Sequence, residues 1–243
     1  DNASEFAFDS ELRAPERPVL KIVVPCYNES EVLLDSAGVL KEVLDSMIAS
    51  GAVSGESRVV FVNDGSSDDT WEKISALANT NPRFAGLCLS KNFGHQSALI
   101  AGLMSVDADV YVTIDADLQD DPWKIVEMVE QWKNGCDIVL GVRSSRETDT
   151  FFKRFTAVAF YRLMRALGVK TVENHADYRL MSRRAVRALA AFPERNLFLR
   201  GMITLLGFRR GEVFYARAER TKGETKYPFK KMLALALDGI TSF

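Results

Sequence analysis

The chain has 243 residues, of which 47% are hydrophobic and 26% are charged, and its formal net charge is −2 at pH 7. This length allows one large α/β domain or two small ones, and the composition is that of an ordinary globular protein. The three cysteines are widely spaced and form no CxxC pair, which argues against a disulfide framework and against a zinc site.

Apolar, β-branched runs alternate with segments of helical spacing over the first 143 residues. The predicted strands are "VLKIVVP" (19–25), "SRVVFVN" (57–63), "FAGLCLS" (84–90), "DVYVTID" (109–115) and "DIVLGVR" (137–143). The predicted helices cover 31–50, 68–80, 95–106 and 122–135, with Ser66 or Ser67 capping the second and Asp121 and Pro122 opening the fourth. The alternation predicts an α/β fold with a mainly parallel sheet and helices on both faces. Ligands of such sheets bind beyond the carboxyl ends of the strands.

Charge is distributed unevenly along the chain. Residues 1–142 carry a net charge of −14, and residues 143–243 carry +12. Two interpretations stay open: the halves neutralise each other across an interface, or the acidic half binds a cation and the basic half an anionic partner. An acidic front half repels phosphate chains, so we expect no nucleic-acid binding.

The fourth predicted strand leads into the acidic stretch "TIDADLQDDP" (113–122), which holds Asp115, Asp117, Gln119, Asp120 and Asp121. Like charges this close repel, so the stretch either binds a cation or is a solvated turn. In extended backbone residues i and i+2 point the same way, so Asp115 and Asp117 should converge, with Gln119 following if the chain stays extended. Carboxylate and amide oxygens suit Mg²⁺ or Mn²⁺, although a DxD pair alone is a weak signal.

Further candidate residues stand at the ends of the first three predicted strands or soon after them: Pro25, Tyr27, Glu29, Asp64, Lys91 and His95. The glycine-rich GxGxxG of dinucleotide-binding folds is absent from the first strand end. Asp64 could accept hydrogen bonds from a base or a ribose, and the helix start beside Lys91 could receive an anion. Each feature alone is more often a plain strand-to-helix junction. His95 is given no catalytic role.

Four of these stretches carry a resemblance to a known family. "VVPCYNES", "VNDGSSDDT", "KNFGHQSALIAG" and "IDADLQDDP", in this order and at these intervals, resemble family 2 glycosyltransferases of the GT-A fold. The later "ADYRLMSRRAV" (176–186) and "RAERTKGETKY" (217–227) resemble the polyprenyl-phosphate glycosyltransferases, the group that contains dolichyl-phosphate mannose synthases and bactoprenol glucosyltransferases. The likeness covers roughly residues 19–243.

The resemblance implies roles for individual residues. The donor would be bound by Pro25, Tyr27, Glu29, Asp64, Lys91 and Asp115, with Arg220 and Lys226 reaching its diphosphate from a loop. Mg²⁺ or Mn²⁺ would be held by Asp115, Asp117 and Gln119. The acceptor phosphate would be bound by Arg143, Lys153 and Arg154. The expected catalytic residues are Asp117, through the metal, and Asp177, as a base or as an anchor for a sugar hydroxyl.

The basic half contains two segments, 150–168 and 226–240, in which basic residues accompany apolar turns. Such helices either pack on their own sheet or lie in a membrane interface, and the resemblance favours the membrane. We expect a tail over 1–18, a catalytic domain over 19–225 and a juxtamembrane segment over 226–243. No run of about 18 uncharged apolar residues is present. Members of the family that the chain resembles often continue into transmembrane helices, so the resemblance implies that such helices of a longer protein are missing from this chain.

The expected reaction is an inverting transfer of a hexose from a nucleotide-sugar, best UDP-glucose, to polyprenyl phosphate at the cytoplasmic face of a bacterial inner membrane, with possible self-association. Three alternatives stay open. One is a transferase acting on a polysaccharide hydroxyl, and the second is the same lipid reaction with GDP-mannose or UDP-GlcNAc. The third is a non-catalytic domain that binds nucleotide-sugars or serves as a membrane scaffold.

Overall fold

The computed structural model describes residues 15–144, 175–192 and 199–216. The strands are β1 (Leu20–Cys26), β2 (Arg58–Asn63), β3 (Phe84–Cys88), β4 (Val110–Thr113), β5 (Ile138–Arg143), β6 (His175–Ser182) and β7 (Arg210–Tyr215). The helices are α1 (Leu33–Ala49), α2 (Thr70–Thr80), α3 (His95–Ser105), α4 (Lys124–Lys133), α5 (Arg183–Ala190) and α6 (Leu199–Leu205). The strands form one sheet in the order β3-β2-β1-β4-β6-β5-β7.

Every pair of neighbouring strands is parallel except the two pairs that involve β6, which runs antiparallel to β4 and to β5. In this register Thr113 of β4 lies opposite Arg179 of β6. The amino-terminal end of β6 therefore lies at the edge of the sheet where the parallel strands have their carboxyl ends. Asp177, two residues before Arg179, therefore lies at the same edge of the sheet as Asp115, two residues after Thr113.

The sheet separates two apolar cores. Helices α1, α2 and α4 cover one face, and α3, α5 and α6 cover the other. Within β1, Ile22 and Val24 lie in the first core and Val23 in the second, as the two-residue period of a strand requires. The strands β1, β2 and β4 and the first four residues of β5 are buried on both faces almost throughout, which explains why they read as continuous apolar runs rather than as alternating patterns.

The five strands and four helices predicted before residue 144 are all present, within a few residues of the predicted limits. The cap predicted at Ser66 or Ser67 is wrong. Helix α2 has Asp69 at its cap position without a side-chain cap, and Ser66 and Ser67 lie before it and bond to Asn28. Asp121 accepts the backbone N–H of Trp123 at 3.0 Å just before α4 begins.

Several predictions lie outside the described residues. These are the amphipathic segments 150–168 and 226–240, and most of the tail over 1–18. Within the three described ranges, no helix has both the length and the apolar character needed to cross a bilayer.

Candidate active site

The loops after β1 and β2 are held to each other by side chain to backbone hydrogen bonds. The Asn28 side-chain oxygen accepts the N–H of Ser67 at 2.8 Å, and the Asn28 N–H donates to Ser66 Oγ at 3.0 Å. The Glu29 N–H donates to Thr70 Oγ1 at 3.0 Å. Asn28 has a φ of 53°, in the left-handed region that asparagine tolerates. The loop that carries the predicted donor residues is thus fixed by the loop that follows.

Two predicted donor residues, Pro25 and Tyr27, lie on either side of Cys26, the last residue of β1. Pro25 is buried inside β1, whereas Tyr27 is exposed, with 42% of its surface accessible. An exposed ring at a strand end offers a face on which a base can stack, so the two residues differ in what they can offer a nucleoside.

Asp64 is buried at the end of β2, and its carboxylate holds the start of α3. Its two oxygens accept the N–H groups of Phe93 at 2.7 Å and of Gly94 at 2.9 Å. The carboxylate thus also places negative charge at the amino end of a helix, which is favourable. A contact with base or ribose stays a prediction for Asp64. Lys91 is exposed, and its Nζ lies 5.1 Å from the ring centroid of Phe93.

The chain turns after β4 instead of staying extended. The N–H of Leu118 donates to the carbonyl oxygen of Asp115 at 3.2 Å, and Leu118 has a φ of 44°. The expectation that the extended pleat aligns Asp115, Asp117 and Gln119 is therefore wrong. Asp117 Oδ1 accepts the N–H of Gln119 at 3.3 Å, a local side-chain bond that competes with extended backbone. Gln119 is buried, while Asp115 has 40% of its side chain exposed.

His95, the first residue of α3, lies between two carboxylates. Its Nε2 is 2.9 Å from Asp115 Oδ1, and its Nδ1 is 3.8 Å from Asp177 Oδ2. Burial alone would lower the pKa of His95, but the hydrogen bond to Asp115 and the charges of both aspartates outweigh it, so the pKa is raised. The imidazole thus joins the turn after β4 to the start of β6.

Asp177 is buried and is held from three elements. Its Oδ2 accepts the Gln96 side-chain amide at 3.2 Å, and its Oδ1 accepts the Arg179 guanidinium. Its carbonyl oxygen accepts the Thr113 hydroxyl. The antiparallel direction of β6 is what brings this carboxylate to the edge of the sheet that carries Asp115.

Arg143, at the end of β5, forms a bidentate pair with a buried acid. Its Nε donates to Asp120 Oδ1 at 3.0 Å, and a terminal nitrogen donates to Asp120 Oδ2 at 3.3 Å. Burial raises the pKa of Asp120, although the guanidinium of Arg143 opposes the shift. Burial and the charge of Asp120 also raise the pKa of Tyr215 in β7.

Four of the predicted site residues lie outside the described residues: Lys153, Arg154, Arg220 and Lys226. The others all lie at the carboxyl edge of the sheet, on β1, β5, β6 and the segments that follow β1 to β4.

Four residues that had no assigned role contact the predicted site residues: His95, Gln96, Asp120 and Arg179. The contact between Arg179 and Asp177 could have been predicted, because residues two apart in a strand share a face. His95 and Gln96 lie at a predicted helix start, but the sequence does not indicate which residues of other elements that helix start contacts. Asp120 was recognised as part of the acidic stretch, but no ion-pair partner was predicted for it.

The turn after β4 fits a divalent cation by the chemistry of its donors. Asp115 and Asp117 offer hard carboxylate oxygens, and Asp115 is accessible from solvent. Across the described ranges, no three His, Cys, Asp or Glu side chains are grouped to hold a metal. Two carboxylates without a closed cage of protein ligands are typical of Mg²⁺-type sites that complete their coordination with water and substrate phosphates.

The fold and the site define an α/β protein of the class that binds its ligands at the carboxyl edge of a mainly parallel sheet, here the edge that carries Asp115 and Asp117. The profile of Glycosyl transferase family 2 matches residues 21–190, so the chain belongs to this family and is a glycosyltransferase. This confirms the resemblance seen in the sequence motifs.

Individual relatives agree with the family assignment. The chain is 51% identical over 229 residues to the uncharacterized glycosyltransferase YkoT of Bacillus subtilis (strain 168), covering 93% of this chain and 68% of that protein. It is 40% identical over 225 residues to the bactoprenol glucosyl transferase of Shigella phage SfV, covering 92% of this chain and 71% of that protein.

A solved structure shares the fold. The mannosyltransferase PcManGT from Pyrobaculum calidifontis, in complex with GDP-Man and Mn²⁺, gives a TM-score of 0.53 at 18% identity, covering 97% of this chain and 75% of that one. At this identity the likeness concerns the fold alone, and it confirms the predicted GT-A class.

Proposed function

We propose that this glycosyltransferase transfers a hexose onto a polyprenyl phosphate with inversion at the anomeric carbon. The favoured donor is UDP-glucose, which would supply glucose. The observation that carries the proposal is the meeting of Asp115 and Asp177 on either side of His95 at the carboxyl edge of the sheet. The 40% identity to a phage bactoprenol glucosyl transferase supports the choice of sugar and of lipid acceptor.

The donor side of the site is formed by the segments that follow β1 to β4. We propose that Tyr27 and Glu29 contact the nucleobase of the donor. The donor diphosphate would lie at the turn that carries Asp115, Asp117 and Gln119. Mn²⁺ or Mg²⁺ held by these three residues would stabilise the negative charge that develops on the departing nucleoside diphosphate. Arg220 and Lys226 would add positive charge at the same diphosphate.

The acceptor side is formed by Arg143, with Lys153 and Arg154 as further candidates. The two bonds to Asp120 use two of the five N–H donors of the Arg143 guanidinium, and 31% of its side chain is exposed. Donors are therefore left with which Arg143 can bind a phosphate oxygen and orient it towards the sugar.

In the proposed reaction an oxygen of the acceptor phosphate attacks the anomeric carbon while the bond from that carbon to the donor diphosphate breaks. The second pKa of a phosphomonoester is about 6, so the nucleophile is already ionised at neutral pH and needs no strong base. Both oxygens of Asp177 accept hydrogen bonds within the protein. We therefore favour an anchoring role towards a sugar hydroxyl for Asp177 over a role as general base.

A lipid acceptor places the reaction at a membrane surface. We propose that the basic segments 150–168 and 226–240 contact anionic headgroups there, on the cytoplasmic side where nucleotide-sugars are found. The net charge of +12 over residues 143–243 supports such a contact, because basic segments are attracted to anionic lipids.

The test is a donor and acceptor panel with the full-length protein in detergent. UDP-glucose, GDP-mannose and UDP-GlcNAc would each be offered with a short polyprenyl phosphate and Mn²⁺ or Mg²⁺, and the lipid product would be identified by mass spectrometry. We expect a hexosyl lipid phosphate from UDP-glucose and none from the matched polyprenol without phosphate. Transfer to a polysaccharide hydroxyl without any lipid phosphate would overturn the proposal, as would a complete lack of donor turnover.

A further inference from the structure

The start of α3 contacts both carboxylates at the centre of the site, although neither of its first two residues had an assigned role. His95 Nε2 lies 2.9 Å from Asp115 Oδ1, and Gln96 Nε2 donates to Asp177 Oδ2 at 3.2 Å. Asp115 comes from the turn after β4 and Asp177 from β6. Two consecutive residues of one helix therefore reach two acids that belong to different elements.

The helix start is itself firmly placed, so it can impose a position on its partners. The Asp64 carboxylate accepts the N–H groups of Phe93 and Gly94 just before the helix. Immediately after, Ala98 and Leu99 are buried in the core between α3 and the sheet. A first turn fixed at both ends gives His95 and Gln96 a defined geometry.

Gln96 shows a second sign that its orientation serves the site. Because a carboxylate only accepts hydrogen bonds, the Gln96 NH₂ group must face Asp177, which turns its Oε1 the other way. That Oε1 is buried and has no hydrogen-bond partner among the described residues. An unsatisfied buried acceptor is unfavourable for folding, so stability alone does not explain this choice of side chain.

We propose that His95 and Gln96 are positioning residues, which hold Asp115 on the donor side and Asp177 on the sugar side in one fixed arrangement. The inference rests on the proposed function, since it takes Asp115 as a residue of the diphosphate and metal site. Groups that hydrogen-bond a metal-binding carboxylate or imidazole orient it, and their loss typically weakens metal binding about 10- to 100-fold.

The two residues should act on different steps, which gives a specific test. His95→Ala removes the partner of Asp115, so we expect the affinity for Mn²⁺ in the presence of UDP to fall about 10-fold or more. Gln96→Met removes only the contact to Asp177. We expect it to leave Mn²⁺ affinity unchanged and to lower kcat about 10-fold, with little change in the KM for donor.

Two amide replacements of His95 separate its two ring nitrogens. The amide nitrogen of Gln reaches about as far from the backbone as Nε2, and that of Asn about as far as Nδ1. His95→Gln should therefore restore Mn²⁺ affinity to within a few-fold of wild type, whereas His95→Asn should bind Mn²⁺ as weakly as His95→Ala. Free Mn²⁺ would be followed by electron paramagnetic resonance, which does not depend on turnover.

Thermal unfolding separates positioning from a structural role. Gln96→Met removes an unsatisfied buried acceptor and also a hydrogen bond to the buried Asp177 carboxylate. These two effects on stability oppose each other, so the Tm should change little while kcat falls. The matched control is Ser97→Ala, on the same helical turn, because the Ser97 hydroxyl bonds only to the Phe93 carbonyl among the contacts described for it. The control should match wild type in Mn²⁺ affinity and kcat.

The outcomes are distinct. Wild-type Mn²⁺ affinity in His95→Ala, or wild-type kcat in Gln96→Met, would overturn the inference while the proposed function stands. A wild-type protein that neither binds Mn²⁺ with UDP nor turns over any donor would overturn the proposed function, and this inference with it.

Discussion

Gly65 lies directly against the backbone of Lys91, and a Cβ added to Gly65 would come within 2.3 Å of the Lys91 carbonyl carbon. Gly65 also has a φ of +63°, which an alanine adopts only at a cost. The loop after β2 can therefore approach the loop after β3 only because this residue has no side chain.

Gly65→Ala should consequently lower the free energy of unfolding by at least about 2 kcal/mol, from backbone strain and displacement of the Lys91 loop. The donor KM should rise as well, because Asp64 and Lys91 are carried by the two displaced loops. Urea denaturation and donor titration measure the two effects. Gly55→Ala is the control, since an added Cβ there meets nothing within 4 Å. Equal stabilities of the two variants would contradict the prediction.

Arg143 and Asp120 form a pair whose members differ in exposure, 31% for the arginine side chain and 2% for the aspartate. Removing the arginine leaves a buried carboxylate without its counter-charge, so Arg143→Met should cost about 3 kcal/mol of unfolding free energy. Removing the acid leaves a guanidinium in contact with water, so Asp120→Asn should cost less than about 1 kcal/mol. Glu127→Gln, in the exposed pair with Lys124, should change the free energy of unfolding far less than Arg143→Met does.

The same pair gives a pH dependence of stability. The pKa of Asp120 is raised by burial, so the folded protein retains its proton at pH values where the unfolded chain has lost it. The stability that this group contributes is therefore greatest below the unfolded pKa of about 4 and falls as the pH rises. The fall should be larger in Arg143→Met and absent in Asp120→Asn. Urea midpoints between about pH 4 and pH 7 would test this, and parallel curves for all three proteins would refute it.

Two helical glycines should respond to alanine in opposite directions. An added Cβ at Gly38 in α1 meets nothing within 4 Å, so Gly38→Ala should stabilise the protein by about 0.5–1 kcal/mol through helix propensity. At Gly102 in α3 the Cβ would lie 2.5 Å from Val23 and 2.8 Å from Val62, both buried in the sheet. Gly102→Ala should destabilise by about 1–3 kcal/mol. Thermal unfolding of both variants is a sufficient measurement.

Removal of the proposed cation should abolish transfer. EDTA should stop product formation, and Mn²⁺ or Mg²⁺ should restore it in wild type but not in Asp115→Asn, whose activity should fall by at least about 100-fold. Asp107→Asn is the control, because Asp107 is 82% exposed and pairs with Arg183 before β4, away from the turn that carries Asp115. Full activity of Asp115→Asn with metal would remove this residue from the site.

Asp177→Asn should lower kcat without changing the shape of its pH profile. Asn keeps the size of the side chain but loses the charge that faces Arg179, so the anchoring geometry changes. A general base would instead give a profile that loses its acidic limb in the variant. Single-turnover rates between about pH 6 and pH 9, with folding checked by circular dichroism, distinguish the two roles.

Much of the fold followed from local pattern. The apolar runs before residue 144 predicted five strands, and four of these are buried on both faces, where nearly every position needs an apolar side chain. The strand β6 was not predicted. Its segment "HADYRLMS" mixes charged and apolar residues, since it supplies Asp177 and Arg179 to the site while Tyr178 and Leu180 enter the core.

Several residues of the candidate site could be predicted from the sequence, but their arrangement in space could not. The motifs named Asp115, Asp117 and Asp177, yet the turn at Leu118 replaced the extended backbone on which their alignment had been based. His95 had no assigned role because its partners, Asp115 and Asp177, lie 20 residues and 82 residues away along the chain.

The sequence by itself determined the alternation of strands and helices, the acidic strand end and the family to which the chain belongs. These depend on side-chain chemistry and on spacing along the backbone. The tertiary structure alone decided which acids meet. An antiparallel β6 beside β4 brings Asp177 to the edge that carries Asp115, and the packing of α3 on the sheet sets His95 between them. Such contacts arise from the register between distant segments, which no local pattern specifies.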